Sequence, residues 1–371
     1  MGADAEILFE CRGKAGIVTL NRPKALNALT HEMVVAMKEK LDDWARDDGV
    51  SIVIVRGEGE RAFCSGGDIR AVAQSGRAGT RYALDFWRDE YLLDAAIKRY
   101  PKPYLALIQG IVMGGGVGIS VHGSYRVADE TTLFAMPETG IGFFPDVGGS
   151  FFLPRCPGEI GLYLALTGAR LKTADTLYAG IATHFVERQF WPCLMDAMTE
   201  GEAPADVLAE LSGYCRMQEA STGELMQMAS PGFLTLVEDR PPHAPLEAQR
   251  QTIDRIFAAD SVEEILARLD ADESSFARET AATIRAKSPT SLKLAFCQMR
   301  AGRDLCLEDC LKMEYRMASR ILAGHDFAEG VRAALIDKDQ SPRWQPAKLG
   351  EVSEHDIDAY FEPLGENELR L

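Results

Sequence analysis

The residues whose types and spacing could do chemistry are concentrated in the stretch 104–155. Gly114-Gly115-Gly116 follow an apolar run at 104–113 and precede a second one at 117–121. Consecutive glycines let a backbone approach a ligand closely and adopt angles closed to other residues. Between a strand and a helix they leave amide N–H groups unpaired at the helix start, where the helix dipole adds to their attraction for negative charge. In a water-poor site that charge can be an oxyanion forming in a reaction. The other reading of the triplet is a tight turn or close helix packing. Two acids stand downstream: Glu138 after Met136-Pro137, and Asp146 after Phe144-Pro145. A third, Glu90, sits in the middle of a helical pattern. Each has a bland alternative. Glu138 would cap a helix or lie on the surface, Asp146 would cap the turn at Val147-Gly148-Gly149, and Glu90 would belong to a solvated helix face.

The elements that must position these residues are legible as periodicity. Two short strands occupy 7–20, and Asn21-Arg22-Pro23 stops the second. Thr30 is the N-cap of a helix whose apolar positions are Met33, Val34, Met37, Leu41 and Trp44. A buried-type strand at 51–55 leads to Ser65-Gly66-Gly67-Asp68 and a helix from Ile69. A helix covers 81–99 and ends at Pro101 and Pro103. Beyond the glycine triplet, helices are expected at 159–167 and 174–179, and a short strand at 181–186. This succession excludes all-α and all-β folds and predicts an α/β chain.

The text then changes. Residues 189–288 are polar and helix-compatible, with amphipathic helices at 245–257 and 261–269 and breaks at 230–232 and 239–243. From Pro289 the chain is strongly helical, through 291–299 and 305–322. Gly324-His325-Asp326 breaks it before a last helix at 328–336. The tail, 351–371, reads as acidic and only partly structured. The expected organisation is a core at 1–188, a mainly helical elaboration at 189–288 and a helical C-terminal region at 289–371.

The chain has 371 residues, is 46% hydrophobic and 26% charged, and has a net charge of −16. That is the composition of an ordinary globular protein, and its acidity argues against nucleic-acid binding. No apolar run reaches membrane-spanning length, so no membrane partner is expected. The N-terminal residues do not read as a secretory signal or as an Arg-rich transit peptide. Scattered cysteines without a C-x-x-C, and histidines without H-E-x-x-H, predict no metal site and a reducing, cytoplasmic setting. The glycine cluster does not fit G-x-G-x-x-G, which disfavours a Rossmann site, and Ser120 and Ser150 both miss the nucleophile elbow.

NRPKALNALT (21–30), AFCSGGDI (62–69) and IVMGGGVGIS (111–120), in this order, resemble the enoyl-CoA hydratase/isomerase superfamily, the crotonases. MPETGIGFFPDVGGSFFLPR (136–155) and GHDFAEGVRAALIDKDQSPRW (324–344) resemble its 3-hydroxyisobutyryl-CoA hydrolase branch. The resemblance covers nearly the whole chain and is weakest over 189–288. It implies a crotonase-like spiral of ββα units with a helical C-terminal region. It also implies an acyl-CoA substrate, no cofactor beyond the CoA of that substrate, and association into homo-oligomers.

The resemblance places the two oxyanion-binding amides on Gly67 and Gly115, within the pairs Gly66-Gly67 and Gly114-Gly115. It places CoA against Lys24, Ala25, Leu26, Asp68 and Ile69, and the acyl group beside Glu90. Hydratases of the family carry two catalytic glutamates. The first would fall on Gly118; the second is Glu138. A glycine cannot serve as an acid–base partner, so hydration is disfavoured. The hydrolase branch also lacks the first glutamate and has the aspartate found here as Asp146. Thioester hydrolysis is the implied reaction, with Glu138 activating water or attacking the carbonyl, and Asp146 holding the 3-hydroxyl or the water.

Overall fold

The computed structural model describes residues 5–219 and 244–371. Strands β1 (Ile7–Arg12) and β2 (Ala15–Leu20) form an antiparallel pair. Helix α1 (His31–Arg46) begins at Thr30, whose hydroxyl accepts from Met33 N–H, and it buries Met33, Val34, Met37, Leu41 and Trp44. Then come β3 (Ile52–Gly57), β4 (Ala62–Cys64), α2 (Ile69–Ala78), α3 (Tyr82–Lys98), β5 (Tyr104–Ile108), β6 (Ile111–Met113), α4 (Gly115–Val121), β7 (Tyr125–Ala128) and β8 (Leu133–Ala135).

With β9 (Leu171–Lys172) and β10 (His184–Phe185), the strands divide into a six-stranded sheet, β1-β2-β3-β5-β7-β10, and a four-stranded sheet, β4-β6-β8-β9. Each of the pairs β3/β4, β5/β6 and β7/β8 gives one strand to each sheet. The chain therefore winds as a spiral and advances by one parallel strand per turn, as Val53↔Tyr104 and Leu105↔Tyr125 show. This is the α/β spiral expected from the sequence.

The apolar run 104–113 is not one strand. It breaks at Gly110, which has φ +57, and a Cβ there would strike the Arg61 carbonyl oxygen. Its first half joins the large sheet and its second half the small one. The strand expected at 181–186 shrinks to His184–Phe185.

One consequence of this winding places the site. Strands β4, β6 and β8 are adjacent and parallel, with Cys64 beside Val112 and Met113 beside Ala135. Their carboxyl ends share one edge. The loops leaving that edge carry Gly66-Gly67, Gly114-Gly115 and Glu138.

Helices complete the molecule: α5 (Gly149–Phe152), α6 (Ile160–Thr167), α7 (Thr173–Tyr178), α8 (Trp191–Glu200), α9 (Pro204–Glu219), α10 (Pro245–Phe257), α11 (Val262–Asp270), α12 (Ser275–Arg285), α13 (Pro289–Gly302), α14 (Leu307–Ile321), α15 (His325–Val331) and α16 (Glu354–Phe361). The main core unites Leu20, Phe86 and Phe144 with Ile256, Leu294, Tyr315 and Ile357. A smaller cluster packs Ile17, Ile54, Leu105 and Val127 against Leu194, Met198 and Leu208. Ile17 and Val18 thus face different clusters, which is why β2 is buried on both faces.

Within the segment 189–288, the breaks at 230–232 and 239–243 lie outside the described residues. The tail is better ordered than its composition suggests. It contains α16, Leu369 is buried, and Glu368 pairs with Arg316 at 2.8 Å. Gly324 opens α15, and Asp326 is buried inside that helix, accepting from the Ser288 hydroxyl at 2.6 Å. Among the described residues no helix is long and apolar enough to cross a membrane.

Candidate active site

Two glycine loops meet at the common strand edge. The first is stitched to the N-terminal loop. Ser65 N–H donates to Leu26 O at 3.0 Å, Leu29 N–H to Gly66 O at 2.8 Å, and Asp68 N–H to Leu29 O at 2.8 Å. The buried Asn27 side chain locks that loop, donating to Glu58 O at 3.0 Å and Ala62 O at 2.9 Å. In the second loop Gly114 adopts φ +48 and ψ −126, which only glycine takes up readily. A Cβ on Gly115 would strike Glu90 Oε1, and would lie 3.2 Å from Leu29 Cδ1 and 3.4 Å from Gly67 N. The two loops therefore touch edge to edge. Among the described residues, neither Gly67 N–H nor Gly115 N–H meets a protein acceptor. Two unpaired amides at the ends of adjacent strands can hold developing negative charge.

Carboxyls surround this point. Glu138 follows β8 and opens a short 3-10 turn, Glu138–Ile141, whose N-cap is Pro137. It is buried, and a Cβ on Gly114 would lie 3.4 Å from its Oε1. Its Oε2 has no hydrogen-bond partner. Burial, then the like charge of Asp146, raises its pKa well above the ordinary carboxylate range, while a hydrogen bond from its own backbone N–H and then Lys287 pull the other way. A carboxyl so buried is not a surface charge.

Asp146 is also buried, and it does not cap α5, whose N-cap is Gly148. It accepts from the Tyr91 hydroxyl at 2.9 Å. Burial pushes it up to about 7, against the lowering effect of that hydroxyl. Glu90 is buried rather than solvated, with Oε1 unpartnered. Burial first and Asp146 second raise its pKa well above normal.

The turn after Asp146 is held from outside. Val147 has φ +51, an unfavourable angle for a β-branched residue. Glu314 on α14 accepts from Gly148 N–H at 2.8 Å, Ser150 N–H at 2.9 Å and the Ser150 hydroxyl at 2.5 Å. The Gln298 amide donates to Pro145 O at 2.7 Å, and His122 Nε2 lies 2.8 Å from Val147 O. Trp87 stacks on Phe143 at 5.3 Å and Phe143 on Phe144 at 4.4 Å, an apolar wall between the Glu138 and Asp146 positions on the chain.

Of the residues read from the sequence, Gly66, Gly67, Gly114, Gly115, Glu90, Glu138 and Asp146 thus gather around one point. Lys24 and Ala25 are exposed on the neighbouring loop, and Leu26 beside them is half-buried at φ +52. Asp68 pairs with Arg22 at 3.2 Å, and Ile69 opens α2. Sequence reasoning missed Tyr91, Asp94, Gln298 and Glu314. Tyr91 and Asp94 had a signal in their proximity to Glu90 on one helix. Gln298 and Glu314 had none, because they act on a turn about 150 residues away. Among the described residues, no group of His, Cys, Asp and Glu side chains could hold a metal ion.

A family model described as enoyl-CoA hydratase/isomerase matches residues 15–361. The chain belongs to the enoyl-CoA hydratase/isomerase family. Within it, the chain is 50% identical to the mitochondrial 3-hydroxyisobutyryl-CoA hydrolase of Danio rerio, over 100% of this chain and 92% of the relative. It is 48% identical to that of Gallus gallus, over 99% and 91%. Among solved structures, a carnitinyl-CoA dehydratase from Mycobacterium thermoresistibile is 41% identical, with 99% of each chain covered and a TM-score of 0.85. The cytoplasmic setting expected above is corrected by these relatives, which are named as mitochondrial enzymes. The cysteines of the described residues are free, and free thiols do not tell one compartment from another.

Proposed function

We propose that this chain hydrolyses the thioester of 3-hydroxyisobutyryl-CoA to the free hydroxy acid and CoA, a step of valine breakdown. The observation that carries this reading is the buried Glu138 carboxyl, set against Gly114 and beside the unpaired amides of Gly67 and Gly115. In this reading the thioester carbonyl oxygen lies between the two amides. Glu138 drives addition of water, either by taking its proton or by attacking the carbonyl first. The oxyanion is stabilised where it forms, and each such amide donor contributes about 3–4 kcal/mol. CoA then leaves as the thiolate and is protonated.

Asp146, fixed by Tyr91, receives the substrate 3-hydroxyl or the water, and Glu90 borders the acyl group. Gly66, Gly114, Lys24, Ala25, Leu26, Asp68 and Ile69 line the path of CoA. The chemistry needs no metal or redox cofactor, and copies of the chain associate with one another as in other crotonases.

The dehydratase name among the structural neighbours invites a second reading, hydration of an enoyl-CoA. Position 118 argues against it. A Cβ on Gly118 would lie 2.7 Å from Val147 Cβ and 2.8 Å from Asp94 Oδ1, so the backbone has no room for a second acid. The deciding experiment measures thiol release across short 3-hydroxyacyl-CoAs, including the 3-hydroxyisobutyryl and 3-hydroxypropionyl thioesters, beside the absorbance change of an enoyl-CoA. Thiol release is expected. An absorbance change without it overturns the reading.

A further inference from the structure

The two amides of the site belong to different loops, and both loops lean on the same pair of elements. Gly67 forms a parallel β-bridge with Leu29 on one side. On its other side is Phe86 of α3, since a Cβ on Gly67 would lie 2.9 Å from Phe86 Cζ. Gly115 is bounded by Leu29 Cδ1 and by Glu90 Oε1, again from α3. Each amide therefore sits between Leu29, at the entrance to α1, and the middle of α3. The spacing of those two elements sets the spacing of the two N–H groups.

A polar contact spans that junction. His31, the first residue of α1, places Nε2 2.5 Å from Oδ2 of Asp89 on α3. His31 comes two residues after Leu29, and Asp89 stands between Phe86 and Glu90, next to the latter. The side chains are only 24% and 35% exposed, and the bond is short. Both features set the pair apart from the solvated surface pairs that contribute little. The imidazole also meets Tyr82 edge-on at 5.8 Å and Phe86 edge-on at 6.4 Å, and Tyr82 stacks on Phe86. The ring that borders Gly67 is thus itself packed against the histidine. Helix α1 has no need of this residue for its own sake. The first turn of a helix favours acids, and a protonated imidazole there opposes the helix dipole.

We infer that His31 and Asp89 are positioning residues: their hydrogen bond fixes the start of α1 against α3, and so holds the Gly67 and Gly115 amides at the separation a carbonyl oxygen needs. The pair acts at one remove, through Leu29 and Phe86 on one amide and through Leu29 and Glu90 on the other. Oxyanion donors act most strongly on the charge that develops in the transition state, so a loosened pair should lower turnover more than binding.

The inference rests on the hydrolase reading for turnover, and only on a thioester carbonyl lying between the two amides for its spectroscopic arm. His31→Phe keeps the ring contacts and loses the donor; His31→Gln keeps a donor near the place of Nε2. A misplacement of about 1 Å costs up to about 10²-fold, so a partial loosening in His31→Phe should lower kcat for thiol release about tenfold. KM should stay within about twofold, as for an interaction made mainly in the transition state. His31→Gln should recover most of the loss. Asp89→Ala should match His31→Phe, and the double variant should be no slower than either, because both remove one contact.

The second arm is the infrared band of the isotopically labelled carbonyl of 3-hydroxyisobutyryl-CoA bound to Glu138→Gln. Two aligned amides lower its frequency below that of the free thioester. Adding His31→Phe should return the band part of the way. A band that stays where it was, with Tm alone lowered, is a purely structural role and overturns the inference. So does a loss of kcat that His31→Gln fails to recover, or a double variant whose losses multiply. If His31→Phe does not fold, Asp89→Ala, which only shortens a half-buried side chain, decides by the same two readouts. If the wild type releases no thiol, the hydrolase reading fails, and the band of the bound thioester still decides whether the pair aligns the amides.

Discussion

Replacing Glu138 by Gln tests the site most directly, because activity and stability should move in opposite directions. The amide has nearly the shape of the carboxyl, so the packing against Gly114 is kept. It cannot take a proton from water or attack a carbonyl. Loss of a positioned acid–base group typically lowers the rate by about 10²–10⁴-fold, or roughly 3–5 kcal/mol of barrier.

Stability should rise. Glu138 is buried, its Oε2 is unpartnered, and burial and Asp146 disfavour its charge. A carboxyl whose folded pKa is raised contributes its full share of stability below its unfolded value, near 4.5, and that share is lost as pH climbs above it. Glutamine does not titrate, so the advantage of the variant should be absent at pH 4 and grow toward pH 8. An uncompensated buried polar group costs about 1–3 kcal/mol, which for a chain of this size is of the order of a few degrees in Tm. The assays are thiol release at saturating 3-hydroxyisobutyryl-CoA, thermal unfolding at both pH values, and titration with the substrate, which should still bind. A variant that turns over within about fivefold of the wild type would remove Glu138 from the chemistry, since even the weakest acid–base role is worth about 10²-fold.

Other perturbations probe the surroundings. Tyr91→Phe removes the hydroxyl that lowers the Asp146 pKa, which burial has pushed up to about 7; the acid limb of kcat/KM should move to higher pH by about one unit. Gly118→Glu forces a Cβ against Val147 and Asp94, so unfolding curves should show a loss of about 1–3 kcal/mol or more, and no hydratase activity should appear in an enoyl-CoA absorbance assay. Glu314→Ala strips the buried amides of Gly148 and Ser150 of their acceptor; denaturant titration should show a loss of about 2–4 kcal/mol, and kcat should fall because the Asp146 turn relaxes.

Much of the site was legible because each part follows a short apolar run. AFC, IVM and LFA are the strands β4, β6 and β8, and the chemistry lies just beyond each. Helix α1 could be read from its cap and its period. What could not be read has physical causes. The run 104–113 is apolar apart from Gln109, and it divides between two sheets at Gly110, which Arg61 approaches closely. The spacing from Glu90 to Asp94 is equally that of a solvated helix face, so burial is visible only once α4 and α14 are in place. The tail reads as acidic, yet a few residues such as Leu369 suffice to dock it. The compartment left no mark that redox chemistry could reveal.

Glu314 gives the molecule an order of completion. During synthesis, every residue that touches the reacting atoms in the proposed mechanism has been made by position 146, while the carboxyl that seats Gly148 and Ser150 is still to come. A half-made chain lacks both that carboxyl and the C-terminal side of the main core. Catalytic competence should therefore switch on late, when the last third of the polypeptide docks.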